Sequence, residues 1–145
     1  MSFTGIWPAL VSPVTADGEI NQKATEQLVG WLLSAGIGGL YVCGGTGEGI
    51  LLGRAQRRRI TEIVVGTVGG EVPVMVHVGA LTTREAVELA HDAVAAGVDA
   101  ISSVPPFYYG YPYAAIKEHY RALAAATALP LYVYYIPSAT GNPMT

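Results

Sequence analysis

Residues 35–49 read Ala35-Gly36-Ile37-Gly38-Gly39-Leu40-Tyr41-Val42-Cys43-Gly44-Gly45-Thr46-Gly47-Glu48-Gly49. Glycines close a helical stretch, four apolar residues follow without alternation, and a second glycine cluster ends the run. A strand that is apolar on both faces needs helices to cover it, which is the condition of a parallel β/α repeat. The same joint recurs at Ala96-Gly97-Val98-Asp99-Ala100-Ile101. Working outward, strand-length apolar runs fall at residues 6–11, 40–43, 74–78, 100–104 and 131–135. Helical periodicity fills the intervals. Residues 21–35 place Ala24, Leu28, Trp31, Leu32 and Ala35 on one face, and residues 54–68 place Ile60, Ile63, Val64 and Thr67. Thr82-Thr83-Arg84-Glu85 is a capping box for a third helix with Ala86, Leu89, Ala90, Ala93, Val94 and Gly97 inward. Residues 113–127 form the fourth, with Ile116, Tyr120, Leu123 and Ala124 inward. Arg57, Arg58 and Arg59 read as a solvated cluster. The expectation is α/β, with five parallel strands and four helices in one domain over residues 1–145.

Composition narrows the function. The chain has 145 residues, 51% hydrophobic and 13% charged, with a formal charge of −3. That balance argues against a nucleic-acid or anionic-membrane surface and favours a small-molecule ligand. No apolar run reaches the roughly 18 residues of a membrane span. One cysteine makes no internal disulfide, and the first residues lack a secretory signal, so a cytoplasmic location is expected.

In a parallel β/α array, ligands bind where strands end and helices begin, because those loops share one face and carry free backbone N–H groups. Every unusual cluster falls there. Gly44-Gly45-Thr46-Gly47-Glu48 can bring backbone amides to a carboxylate or phosphate, with the Thr46 hydroxyl as a further donor; such a loop can equally be only a turn. Glu48 suits a loop anchor or helix cap. Phe107, Tyr108 and Tyr109 follow the fourth run, and Tyr132, Tyr134 and Tyr135 lie on the fifth. A phenol at a strand end can shuttle a proton when neighbours help its pKa of about 10, although packing and subunit contact are also open to these tyrosines. His77 reads as a buried, hydrogen-bonded strand residue and Cys43 as a small buried hydrophobe. No His, Asp and Glu spacing fits zinc or magnesium, so neither a metal nor a cofactor is expected.

Taken together, Gly5-Ile6-Trp7-Pro8-Ala9-Leu10, Gly39-Leu40-Tyr41-Val42-Cys43-Gly44-Gly45-Thr46-Gly47-Glu48, Pro106-Phe107-Tyr108-Tyr109 and Tyr134-Tyr135-Ile136-Pro137 resemble four ordered motifs of one family. It is the dihydrodipicolinate synthase and N-acetylneuraminate lyase family of class I aldolases. The resemblance implies a (β/α)₈ TIM barrel that binds a 2-oxo acid such as pyruvate and joins it to a lysine of the sixth strand as a Schiff base. By position, Thr46 and the amides of Gly45 and Thr46 would hold the carboxylate. Tyr134 would move protons near the imine. Tyr108 matches a tyrosine that in relatives reaches into a neighbouring subunit's site, commonly within a homotetramer.

Three departures qualify the resemblance. Gly45 stands where relatives carry Ser or Thr. Ala139 replaces the Arg that dihydrodipicolinate synthases use on a carboxylated substrate, and with the Phe107 and Ile136 loops this points to the N-acetylneuraminate lyase branch, although Tyr135 replaces that branch's usual Asn. The lysines of the sequence are Lys23 and Lys117, both on helices. The expectation is therefore the N-terminal portion of a TIM barrel, five strands and four helices, inactive by itself as a carbon–carbon lyase. Two alternatives stand beside it: a half-barrel binding or assembly module without catalysis, and a 2-keto-3-deoxy sugar acid dehydratase on the same scaffold.

Overall fold

The computed structural model describes residues 3–144. Four parallel strands form one sheet in the order β1-β2-β3-β4: β1 Leu40–Val42, β2 Val74–His77, β3 Ala100–Ser103 and β4 Leu131–Val133. Each strand pairs with its sequence neighbour, through Leu40 with Val74, Val76 with Ile101, and Ile101 with Leu131. The helices are α1 Gln22–Ser34, α2 Arg54–Val68, α3 Thr83–Ala96, α4 Tyr113–Ala126 and a short α5 Pro137–Thr140. No helix among the described residues is long and apolar enough to cross a membrane.

Local chemistry sets the helix ends. The Asn21 side chain accepts from the Ala24 N–H at the start of α1, and Thr82 accepts from the Glu85 N–H at the start of α3. Gly97 closes α3 at φ 83°, where its N–H reaches the Ala93 and Val94 carbonyls.

The count of five strands needs correction. Residues 6–11 lie beside β1 but make only one ladder bridge, Ala9 with Tyr41. The Tyr41 N–H donates to the Pro8 carbonyl and the Leu10 N–H to the Tyr41 carbonyl. The next ladder bond would need an N–H on Pro8, which proline lacks, and beyond Val42 the backbone turns away at Cys43, φ 59°. The count of four helices is also short by one, because Pro137 presets the first turn of α5.

One face of the sheet packs on the helices. Leu40, Val42, Val74, Val76 and Ile101 meet Val29, Ile60, Val64, Leu89, Ala90 and Leu123 there in a contiguous core. The face of α1 is rotated from expectation, since Thr25 and Val29 are buried while Trp31 is 66% exposed. On α2, Arg57 also departs from the solvated reading: it is 5% exposed and donates to the backbone carbonyls of Gly79, at 3.1 Å, and His77. Those carbonyls lie at the last residue of β2 and two residues beyond it, so a long side chain from the first turn of α2 can reach them. Arg58 and Arg59 stay at the surface. The opposite sheet face carries Tyr41, Met75, His77, Ser102, Tyr132 and Tyr134, the positions that alternate with the core residues. The whole is a partial α/β barrel, with Ile6 (77% exposed) and Val133 (53%) at its two flanks.

Candidate active site

At the C-terminal ends of the strands lies a cavity of about 220 Å³, lined by Gly45, His77, Val104, Phe107, Tyr134, Ala139 and neighbouring residues. The glycine loop forms one wall. Left-handed backbone at Cys43 and Glu48 (φ 51°) folds the loop on itself, with the Glu48 N–H bonded to the Gly45 carbonyl at 3.0 Å. The Ser12 hydroxyl pins it from outside by donating to the Gly47 carbonyl at 2.6 Å. Gly45 thereby faces the cavity. Thr46 sits beside it, exposed to solvent and outside the lining.

Tyr134 closes the opposite side, held by its N–H to the Ser103 carbonyl at 2.8 Å. Its ring meets Tyr41 and His77 edge-on, with centroids 6.3 and 6.2 Å away, and Tyr41 and His77 are 6.5 Å apart. Electrostatics distinguish the members of this triangle. Burial raises the Tyr41 phenol to about 12, although its hydroxyl reaches Ser102 Oγ at 3.3 Å. Burial, reinforced by the Arg57 guanidinium, lowers His77 to about 3. His77 is therefore neutral at physiological pH. Its Nε2 accepts from the Val104 N–H at 3.3 Å, which leaves the proton on Nδ1, a nitrogen with no hydrogen-bond partner.

Arg57 lies beneath this group as a buried cation without a carboxylate partner among the described residues. Its positive field favours an anion at the cavity over a cation. The lining itself bears no charged side chain. Burial also raises the Cys43 thiol, which disfavours its thiolate form. Among the described residues, no three His, Cys, Asp or Glu side chains gather as a metal site.

Of the residues expected at the site, Gly45 and Tyr134 share the cavity, and Thr46 adjoins it. Tyr108 does not enter. It is 81% exposed at φ 82°, its ring edge-on to Tyr109 at 4.9 Å. A tyrosine in left-handed backbone is strained by about 1–3 kcal/mol, so its surroundings must hold it.

Sequence reasoning missed Arg57 as a buried group and Asn142 altogether. Asn142 is 1% exposed and bonds the loop that bears Tyr108. Its sequence signal, a polar residue between Gly141 and Pro143, is indistinguishable from an ordinary turn. His119 was also unremarkable on its helix. It is buried, with Nδ1 3.0 Å from Thr83 Oγ1 and Nε2 3.4 Å from Ser103 Oγ, and joins α3, α4 and β3 behind the sheet.

Comparison with known proteins covers the whole of this architecture. The sequence profile of the dihydrodipicolinate synthetase family matches residues 2–145. A DapA-like lyase of Halobacterium salinarum is 41% identical over 145 residues, covering 100% of this chain and 48% of that protein. An N-acetylneuraminate lyase of Citrobacter koseri is 39% identical over 142 residues, 97% of this chain and 48% of its own length. The solved structure of YagE, a prophage protein of the dihydrodipicolinic acid synthase family from E. coli K12 in complex with pyruvate, superposes with a TM-score of 0.95 at 34% identity, covering 99% of this chain and 48% of that one. The chain thus spans about half the length of the relatives it matches.

Proposed function

The chain belongs to the dihydrodipicolinate synthetase family, whose relatives include lyases, and from this premise we propose that it supplies the 2-oxo acid half of an aldolase-type active site. The observation that carries the reading is the meeting of Gly45 and Tyr134 in one cavity at the strand ends. The substrate is a pyruvate-like 2-oxo acid. Its carboxylate lies toward the amides of Gly45 and Thr46 and the Thr46 hydroxyl, favoured by the buried Arg57 charge. Tyr134 carries protons to and from the reacting centre. Tyr41 keeps its proton and His77 stays neutral, so neither competes for that role.

The chemistry is that of a lysine Schiff base. The amine adds to the substrate's C2 carbonyl, water leaves, and the iminium accepts the electron pair when a carbon–carbon bond breaks. Lys23 on α1 and Lys117 on α4 both lie in the helical layer, away from the cavity. The amine therefore comes from outside these 145 residues, which form the first portion of one barrel domain and are inactive alone. The outward Tyr108 suits a contact with a neighbouring subunit in a cytoplasmic homotetramer. Uncharged surroundings at Ala139 favour the N-acetylneuraminate lyase-like branch over one acting on a carboxylated aldehyde.

Incubation of the complete gene product with pyruvate and borohydride, followed by mass spectrometry, tests the reading. The expected result is one reduced adduct, on a lysine outside residues 1–145; no adduct sinks the Schiff-base mechanism. In the same protein Tyr134→Phe is expected to lower kcat by about 10²–10⁴-fold. Product analysis with sugar acids separates aldol cleavage from dehydration.

A further inference from the structure

Residues 104–112 join β3 to α4 and carry Phe107, which lines the cavity, and Tyr108, which turns outward. Neither the sheet nor a helix takes up the Pro106 and Tyr109 carbonyls or the Tyr111 N–H. All three meet one side chain. Asn142 Nδ2 donates to the Pro106 carbonyl at 2.9 Å and the Tyr109 carbonyl at 3.0 Å, and Asn142 Oδ1 accepts from the Tyr111 N–H at 2.7 Å. The same Nδ2 lies 3.0 Å from the Thr140 carbonyl.

Only a carboxamide combines two N–H donors with a carbonyl acceptor at this length. Asn142 is brought back against the loop by Gly141, whose φ of 69° reverses the chain after α5. The segment it belongs to also supplies Ile136, Ala139 and Thr140 to the cavity. One amide therefore ties two cavity walls together, one with Phe107 and the other with Ala139, and its contacts with Pro106 and Tyr109 bracket Tyr108.

We propose that Asn142 is a positioning residue, which fixes the spacing of these walls and holds Tyr108 in its left-handed conformation for the reaction. The role in catalysis rests on the lyase reading above; the clamp itself does not.

Two measurements test it. In the unaltered complete gene product, hydrogen exchange resolved by NMR should find the Tyr111 amide strongly protected relative to the Gly110 amide. Equal, rapid exchange of both overturns the clamp whether or not the protein traps pyruvate, so failure of the lyase reading remains separable. Asn142→Asp then keeps the acceptor and turns the donor side into an oxygen facing three carbonyls. It should lower kcat by about 100-fold, the scale of an ångström misplacement, and leave KM for the 2-oxo acid within about twofold. Combined with Tyr108→Phe, it should cost little more than the larger single loss, because the two act on one element. A kcat within about threefold of the parent, or losses that multiply, overturns the positioning role. Should Asn142→Asp not fold, the exchange measurement decides.

Discussion

Gly45 and Gly49 belong to one loop and tolerate opposite treatments. A Cβ at Gly45 meets nothing within 4 Å and adjoins the cavity, whereas one at Gly49 falls 1.9 Å from the Cys43 carbonyl oxygen. Gly45→Ser is expected to fold with stability within about 0.5 kcal/mol of the parent and, on the proposed reading, to place a hydroxyl beside the carboxylate of a 2-oxo acid, lowering KM for pyruvate. Gly49→Ala should displace backbone and lose about 1–3 kcal/mol. Urea unfolding and pyruvate kinetics of the two variants check both statements. At this scale the pattern of apolar runs placed Gly45 in the loop after the second run, while Tyr134 stood out from the other tyrosines of the fifth run only through the family resemblance; both line the cavity. The sequence concealed Arg57, because a guanidinium buried against the carbonyls at a strand end looks, residue by residue, like its two solvated neighbours.

Elements were more legible than side chains. The bounds of α2 follow directly from its periodicity, and those of α1, α3 and α4 differ from the expected spans only at their ends. Thr82 was readable because a capping box is a local pattern satisfied by local atoms. Thr82→Ala should destabilise the protein by about 1 kcal/mol, seen as a lower urea midpoint with an unchanged slope. The segment 6–11 misled for the converse reason. Its apolar content reads as a strand, but pairing is decided by which N–H groups face the neighbour, and Pro8 interrupts that series. The face of α1 differs from expectation because Trp31 fits the apolar stripe by period, yet Thr25 and Val29 are the residues of α1 that the fold buries.

The molecule as a whole is sensitive to acid through its buried imidazoles. His77 binds its proton near pH 3 when folded and near 6.5 when unfolded; burial also lowers His119. Between these values the unfolded chain takes up protons that the folded one refuses, so stability is full above about pH 6.5 and falls as the pH drops. The slope reaches at most about 1.4 kcal/mol per pH unit for each histidine. Urea unfolding between pH 7 and 4 should show this decline, and His77→Gln should reduce it by one proton. At the alkaline end Tyr41 has the opposite effect: held protonated to about 12, it resists ionisation that the unfolded chain undergoes near 10, so stability falls above pH 10. The sheet order has a separate, kinetic consequence. Because every strand pairs with the one before it, as Leu40 does with Val74 and Ile101 with Leu131, each pairing closes across a single intervening α-helix. A chain leaving the ribosome can lay down each β/α unit on the last as it emerges, without waiting for distant sequence to be synthesised.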